Sequence, residues 1–330
     1  MKLSKHSFAF IYLIVGVLSL ASHPIAAAEG PWPTKSITLV VPFAAGGPTD
    51  GIARMISVPM GQTLGQTIVV ENVAGAGGTI ASTKVARAAP DGYTIYLHHI
   101  GMATATALYD KLPFDPMTSF EYIGQVADVP MVLMGKKDFP PNNFKELEAY
   151  IKANGNKISM ANAGPGAVSQ LCGLLLQSRL GVKLNNIPYK GTGPALTDLL
   201  GGQVDLLCDQ TTQIIPYIKD GRVKAYGTTT LKRLSAIPNV PTLNEQGLKG
   251  FEVVAWHGVY APKGTPQPIL DKLNAALKKA LNSPEVKNRM ADSSIEIVPM
   301  DKVSAKGLKN QLESEINLWG PVIRKANIPD

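Results

Sequence analysis

The sequence predicts an α/β protein of two lobes, and three observations support this fold class. Between residues 36 and 98 a strand, a glycine-rich loop, a helix and another strand follow one another, which is the order of a parallel α/β sheet. The same order returns between residues 157 and 208, with similar loops. The chain of 330 residues is also long enough for two domains. We therefore expect two similar lobes rather than one extended sheet.

The N-terminal residues 1–28 have the pattern of a secretory signal peptide. Lys2 and Lys5 precede an apolar run from Phe8 to Leu20, and a stretch of small residues ends at Ala28, which gives the three regions of such a peptide. A membrane-spanning helix would need about 20 apolar residues, more than this run supplies. We expect cleavage after Ala28 and a free protein in the periplasm.

The first lobe should contain two strand–loop–helix units and a third strand. Thr49 or Asp50 is the expected N-cap of the first helix, because short polar side chains accept from its free N–H groups. Pro59 should kink or end this helix, since a proline ring clashes with the carbonyl four residues earlier. The strands are predicted at Ser36–Pro42, Gln66–Glu71 and Tyr93–His98, and the second helix at Thr79–Ala88.

The second lobe repeats this organisation, and the chain passes between the lobes twice. Gly124–Met134 and Phe251–Pro262 are extended and apolar, so we interpret them as a hinge of two strands. Lobe 1 is then discontinuous (29–127 and 256–330), and lobe 2 spans 128–255. The remaining predicted elements are strands at Lys157–Ala161, Leu184–Tyr189, Val204–Cys208 and Lys224–Thr228, and helices at Gln170–Leu180, 190–202, Pro268–Asn282 and Val303–Lys325.

Three glycine-rich loops lie directly between a strand and a helix, beginning near Ala44, Gly75 and Gly164. The first N–H groups of a helix lack internal partners, and with the helix dipole they bind anions. Glycine lets a ligand approach the backbone closely, although a glycine can also serve only to make a tight turn. Because these loops come from both lobes, they predict an anion-binding cleft. Hydroxyl groups in the loops could donate to a carboxylate: Thr49, Thr79 and Ser169.

Several other functions are disfavoured by the sequence. Ile80 and Ser169 stand where a dinucleotide fingerprint needs its third glycine, and no phosphate-binding Gly-Lys-Ser/Thr motif occurs, so no cofactor is expected. The histidines do not show metalloprotease spacing, and neither a metal nor a catalytic residue is expected. The net charge of +7 is spread without basic blocks, which argues against nucleic-acid binding.

A few polar residues remain candidates for ligand contact or for structure. His98 and His99 end a strand near the loops, so one ring could reach the ligand while the other is buried. Lys190 is the main cation in reach. Asp50 and Asp209 fit caps better than ligand contacts, although Asp209 could accept from an amine or a hydroxyl.

Cys172 and Cys208 are the two cysteines of the chain. In an exported protein they could form a disulfide that fastens the second lobe, or they could be two buried free thiols. A thiol on the apolar face of a helix is usually inert, which disfavours Cys172 as a nucleophile.

Several motifs together resemble the extracytoplasmic receptors of the tripartite tricarboxylate transporter, or Bug-type, family. The resemblance covers residues 31–325. Pro165 departs from the family pattern, in which a small polar residue is commoner there. The motifs are VVPFAAGGPTD at 40–50, VENVAGAGG at 70–78, PYKGTGPAL at 188–196, GGQVD at 201–205, PNVPT at 238–242 and AWHG at 255–258.

The resemblance implies a two-lobed periplasmic binding protein type II fold that closes over a small organic acid and delivers it to permease subunits in the inner membrane. The receptor should be a monomer, and the identity of the acid stays open. Alternatives are the same fold acting as a ligand sensor for a membrane signalling protein and, remotely, a hydrolase or isomerase using Cys172 or a histidine. The expected ligand-binding residues are Phe43, Ala44, Gly46, Gly47, Thr49, Asp50, Ala76, Gly77, Gly78, Thr79, His99, Ala163, Gly164, Gly166, Ala167, Ser169, Tyr189, Lys190, Gly191 and Asp209.

Overall fold

The computed structural model of the protein describes residues 32–325, which contain ten strands and ten helices. The predicted signal peptide, residues 1–28, lies outside the described residues. The strands are β1 Ile37–Val41, β2 Ile68–Asn72, β3 Thr94–His99, β4 Phe120–Lys136, β5 Ser159–Asn162, β6 Asn185–Pro188, β7 Leu206–Gln210, β8 Val223–Thr228, β9 Val254–Pro262 and β10 Glu296–Ile297. The helices are α1 Pro48–Leu64, α2 Thr79–Ala86, α3 Gly101–Leu108, α4 Phe144–Asn154, α5 Val168–Leu180, α6 Thr192–Leu200, α7 Thr211–Lys219, α8 Gln267–Asn282, α9 Pro284–Asp292 and α10 Ala305–Lys325.

The strands form two sets that share the long strand β4. In the first set, β2, β1 and β3 are parallel and β3 pairs with the antiparallel strand β9. In the second set, β6, β5 and β7 are parallel. Strand β4 pairs with β9 as far as Pro130 and with β7 from Met131 onward. The fold is therefore the predicted two-lobed α/β architecture, but its two sheets are joined through one continuous strand. The exact lobe boundaries, 127/128 and 255/256, stay predictions.

The inner parallel strands β1, β3 and β7 are buried, as expected for strands covered by helices on both faces, whereas the edge strands β2 and β6 are largely half-buried or exposed. In β1, Ile37, Leu39, Val40 and Val41 are fully buried. The second lobe has its own core, in which apolar residues of β4, β7, α6 and α7 pack together. Each lobe therefore holds the carboxyl ends of its parallel strands in fixed positions. The loops that leave those ends are anchored at these positions.

Helix α1 differs from the prediction at both ends. Its N-cap is Gly47, without a side-chain hydrogen bond, and Pro48 occupies the first turn. The expected cap at Thr49 or Asp50 is therefore wrong, since proline at the first helical position already suits a helix start. The helix also continues through Pro59 to Leu64, so the expected early stop is wrong. A proline inside a helix costs about 3 kcal/mol, because it removes a hydrogen bond and its ring clashes with a carbonyl. Burial of the apolar face of α1 against α8 outweighs this cost.

Four helices were not predicted from the sequence: α3, α4, α7 and α9. Helix α3 has eight residues and is mostly buried, so it is short and shows no polar face that would mark it in the sequence. Helix α7 contains Pro216, which argues against a helix in sequence reading. Helix α4 did carry a usable signal, because Asn143 caps it and accepts from the N–H of Glu146 at 2.9 Å.

Cys172 and Cys208 form a disulfide between α5 and β7, with their Cα atoms 6.2 Å apart. The alternative of two free thiols is thereby excluded, and Cys172 has no thiol to act as a nucleophile. Among residues 32–325 no helix is both long and apolar enough to span a membrane.

Candidate functional site

Loops from the two lobes meet where the parallel strands end. The Ala44 N–H, after β1, donates to the Lys190 carbonyl, after β6, at 3.1 Å. On the other side of the site, the Thr104 hydroxyl of α3 donates to the Gly166 carbonyl of the β5–α5 loop at 2.8 Å. The lobes are therefore held together by contacts that involve backbone atoms.

Gly77 makes the tightest approach between the lobes. Its φ is +60°, and a Cβ atom at this position would lie 1.7 Å from the Pro165 carbonyl oxygen. Gly191 is similar but less tight, since a Cβ there would lie 3.0 Å from the Ala44 nitrogen. Glycine at these positions allows the two lobes to close in this geometry. Pro165, the departure from the family pattern, thus lies in the interface between the lobes.

The loops enclose a cavity of about 10 Å³, roughly the space that one water molecule needs. All of its lining residues are uncharged, and several belong to the first turns of α1, α5 and α6. A larger acid would enter only if the lobes part. The lining residues are Phe43, Pro48, Thr49, His99, Ala163, Ala167, Val168, Ser169, Thr192 and Gln210.

A wider groove of about 460 Å³ lies beside this cavity and is open to solvent. Ala76, Gly164, Tyr189 and Lys190 line it, so four expected site residues lie at the mouth of the site rather than in its enclosed part. The small cavity is the candidate binding centre, because helix N-termini and buried polar side chains meet there.

Asp50 fastens the β1–α1 loop. Its carboxylate accepts from the Gly46 N–H at 3.0 Å, from Arg54 at 2.9 and 3.0 Å and from the Asn72 amide at 3.0 Å. Burial alone would raise the pKa of Asp50, but these hydrogen bonds hold it below its ordinary value. Asp50 is therefore a loop anchor rather than a helix cap, and its oxygens are engaged by groups of this chain.

Many loop N–H groups are engaged within the structure itself. In the second lobe, the N–H groups of Ala163, Gly164 and Gly166 donate to the side chains of Ser169, Asn162 and Gln170 respectively. In the first lobe, the Gly78 N–H donates to the Gly75 carbonyl. The expectation that these loops offer their backbone donors to an anion therefore does not extend to these four groups.

Three buried histidines pack together beside the cavity, and one of them, His99, lines it. The His99 ring stacks on Phe43 with centroids 4.7 Å apart and contacts the rings of His98 and His257 at 5.0 and 5.7 Å. Burial, together with the neighbouring imidazoles, holds the pKa of His99 well below its ordinary value, and it lowers the pKa of His98 and His257 to about 3. The rings are therefore neutral near pH 7. Among the described residues no group of three His, Cys, Asp or Glu side chains is placed to hold a metal.

We expect the His98→Leu variant to lose part of the pH dependence of stability. The pKa of His98 is about 3 when folded and about 6.5 when unfolded. Its contribution is therefore complete above pH 6.5 and is lost as the pH falls toward 3, by about 1.4 kcal/mol per pH unit. The free energy of unfolding, measured by urea titration between pH 4.5 and 6.5, should rise less steeply with pH in the variant, by this amount.

The Asp209→Asn variant is the matched control, because it should change the pH dependence of stability in the opposite direction. Burial raises the pKa of Asp209 to about 7, so its contribution is complete below the unfolded value and is lost as the pH rises toward 7. Removing it should make stability rise more steeply with pH over the same range. If the free energy of unfolding changes with pH in both variants as it does in the unmodified protein, the shifted pKa values of His98 and Asp209 are contradicted.

At the end of β7, Asp209 and Gln210 carry buried oxygens without partners. Asp209 accepts from the Gln210 N–H at 2.8 Å through Oδ1. Within residues 32–325 its Oδ2 has no hydrogen-bond partner, and the same holds for Gln210 Oε1. Gln210 lines the cavity whereas Asp209 lies outside its lining. Sequence reasoning selected Asp209 and missed Gln210, although residues that alternate along a strand face opposite sides.

The structure separates the expected site residues into four groups. Those in the enclosed cavity and those at its mouth are given above, and Ala44, Gly77, Gly166 and Gly191 form contacts between the lobes. Thr192 was missed, although it begins the helix after a predicted glycine loop. The fourth group consists of the remaining expected residues, which also line neither space: Gly46, Gly47, Asp50, Gly78, Thr79 and Asp209.

Comparison with known proteins gives consistent matches over nearly the whole chain. The model of the tripartite tricarboxylate transporter family receptor matches residues 52–328. An Agrobacterium vitis protein, described as a UPF0065 protein in the TAR-I ttuE-ttuC' intergenic region, is 44% identical over 98% of this chain and 93% of its own.

Solved structures agree. The periplasmic binding protein BugD is 51% identical with a TM-score of 0.88, covering 90% of this chain and 99% of its own. MatC from Rhodopseudomonas palustris, solved with bound malate, is 42% identical with a TM-score of 0.86, covering 88% and 100%.

Proposed function

The chain belongs to the tripartite tricarboxylate transporter receptor family, and on that premise we propose that it captures a small carboxylate between its lobes and delivers it to a membrane permease. Receptors of this family are periplasmic solute-binding proteins that bind small carboxylates. The expected signal peptide fits export to that compartment. We further propose that the receptor acts as a monomer and that its permease partner recognises the closed form.

The observation that carries this proposal is the closure of both lobes over one cavity of uncharged polar groups. Thr49 and His99 come from the first lobe, and Ser169, Thr192 and Gln210 from the second. A ligand that contacts both sets stabilises the closed form, because it binds the open form less well. Neutral donors in a buried site can hold a carboxylate without a charged partner. Such binding suits a receptor that must later release the acid.

The relatives favour a short aliphatic acid. MatC was solved with malate, and the cavity between the lobes here is small. We therefore propose that the ligand is a small aliphatic mono- or dicarboxylate whose size is limited by how far the lobes part.

A thermal-shift screen of residues 29–330 against aliphatic and aromatic acids tests the proposal. A ligand at a hundredfold its Kd should add about 2.7 kcal/mol to the free energy of unfolding, and the acid should be recovered unchanged. A screen in which no acid raises the melting temperature, on protein shown by mass spectrometry to carry no trapped ligand, would contradict carboxylate binding. Conversion of the acid into a product would revive the enzymatic alternative.

Delivery needs a test in cells. Deleting the gene should abolish uptake of the acid found in the screen, and expressing the chain again should restore uptake. A strain that takes up the acid normally without the receptor, but no longer changes gene expression in response to it, would support the sensor alternative instead.

A further inference from the structure

We propose that the bound acid carries a hydroxyl or ammonium group beside its carboxylate, because Thr49 offers the cavity a hydrogen-bond acceptor and not a donor. This inference rests on the proposed function, since it names the chemical class of the ligand at the same site. It reverses the expectation from sequence, in which the Thr49 hydroxyl donates to the carboxylate. The reversal comes from His257, which lies behind Thr49.

His257 determines the direction of the hydrogen bond. Its Nδ1 lies 3.1 Å from the Ala255 carbonyl oxygen, and a carbonyl can only accept, so Nδ1 carries the proton. The ring is fully buried and neutral, and a neutral imidazole has one proton only. His257 Nε2 is therefore an acceptor, and the Thr49 hydroxyl at 3.3 Å donates to it.

Thr49 is left with its lone pairs. A hydroxyl has one proton and two acceptor positions, and the proton points to His257. Thr49 is 2% exposed and lines the cavity. Gln210 lines the same cavity from the opposite lobe, and its Oε1 is buried without a partner among the described residues. Because its amide also carries two N–H donors, Gln210 suits either kind of partner, and Thr49 alone sets the need for a donor.

Two other side chains of the cavity present donors. His99 Nδ1 accepts from the Gly101 N–H at 2.9 Å, so the single proton of this neutral ring is on Nε2. Ser169 Oγ accepts from the Ala163 N–H at 2.9 Å, which leaves its own proton for another partner. Both groups suit a carboxylate, one from each lobe.

Donors and acceptors therefore share one small cavity. A carboxylate satisfies His99 and Ser169 but has no proton for Thr49. A plain acid would close the lobes over a Thr49 oxygen without a donor, and a buried polar group left unpaired is unfavourable. A 2-hydroxy or 2-amino acid provides the missing donor next to the carboxylate.

Nitrogen-15 NMR of the histidine rings tests the direction of these bonds without any ligand. At pH 7 the protein labelled with nitrogen-15 histidine should show His257 protonated on Nδ1 and His99 protonated on Nε2. Assignment uses the variants His257→Gln and His98→Leu. A His257 ring protonated on Nε2 would overturn the proposal, because it would then donate to Thr49.

Matched acids test the ligand class. L-malate and L-aspartate should each bind at least about tenfold more tightly than succinate, which lacks only the hydroxyl or ammonium group, as expected for one hydrogen bond. Thr49→Val removes the hydroxyl at nearly constant volume and should lower this preference by about tenfold, with succinate binding little changed. Thr49→Ser keeps the hydroxyl and should keep the preference.

The outcomes are distinguishable. Equal losses for succinate and malate in Thr49→Val would show that Thr49 contacts the shared carboxylate, and succinate binding as tightly as malate to the unmodified protein would overturn the ligand class. If none of the three acids binds, the proposed ligand class is wrong for acids of this size, while the ring-nitrogen spectra still decide the direction of the Thr49 bond.

Discussion

Replacing Gly77 with alanine should weaken binding of the acid by at least about a hundredfold while the protein remains folded. A Cβ at this position would lie 1.7 Å from the Pro165 carbonyl oxygen of the other lobe, so the closed form cannot be reached in this geometry. Parting the lobes relieves the overlap. The apparent affinity falls in proportion to the fraction of molecules able to close, and isothermal titration measures it directly.

The control for backbone strain is Gly65→Ala. Gly65 has a φ of +72°, close to the +60° of Gly77, but a Cβ there would meet nothing within 4 Å. Both variants should lose about 1–2 kcal/mol of stability from the left-handed conformation, and only Gly77→Ala should lose affinity. Equal affinities in the two variants would show that contact between Gly77 and Pro165 is not needed for binding.

Removing the disulfide should produce the largest loss of stability. The bridge between Cys172 and Cys208 closes a loop with a sequence separation of 36, and restricting the unfolded chain in this way is worth about 4 kcal/mol. For a chain of this size the double variant Cys172→Ala, Cys208→Ala should melt about 6 °C lower.

Calorimetry with and without reductant checks this expectation. Reducing the unmodified protein should give the same shift, whereas the double variant should not respond to reductant. A double variant that melts at the original temperature would show that the loop is held by packing of α5 against β7 alone. The bridge also links a helix and a strand that line the cavity, because Ser169 lies in the first turn of α5 and Gln210 ends β7.

Local patterns predicted the positions of the loops well. The glycine runs after β1, β2 and β5 show where strands end, because they reflect local chain geometry. The two-strand connection was also predictable, since β4 and β9 are long and apolar. The disulfide stayed open at the sequence level because two cysteines in an exported chain permit a bridge without requiring one.

Features that depend on distant partners could not be predicted. The direction of the Thr49 hydrogen bond depends on His257, 208 residues away in sequence. Helix α1 continues through Pro59 because α8 packs on it. Gln210 lines the cavity because of the side of β7 on which its side chain lies, and the pairing of β7 with β4 fixes that side. In each case tertiary contacts outweigh the local preference.

The continuous course of β4 has a mechanical consequence. Pairing passes from β9 to β7 between Pro130 and Met131 with no loop between them, so the lobes are coupled by an intact ribbon rather than by a free joint. Proline has no N–H to give to the ladder, and Pro130 therefore marks the place where the ribbon is most easily twisted. Any parting of the lobes must therefore twist or bend this strand, because no loop interrupts it.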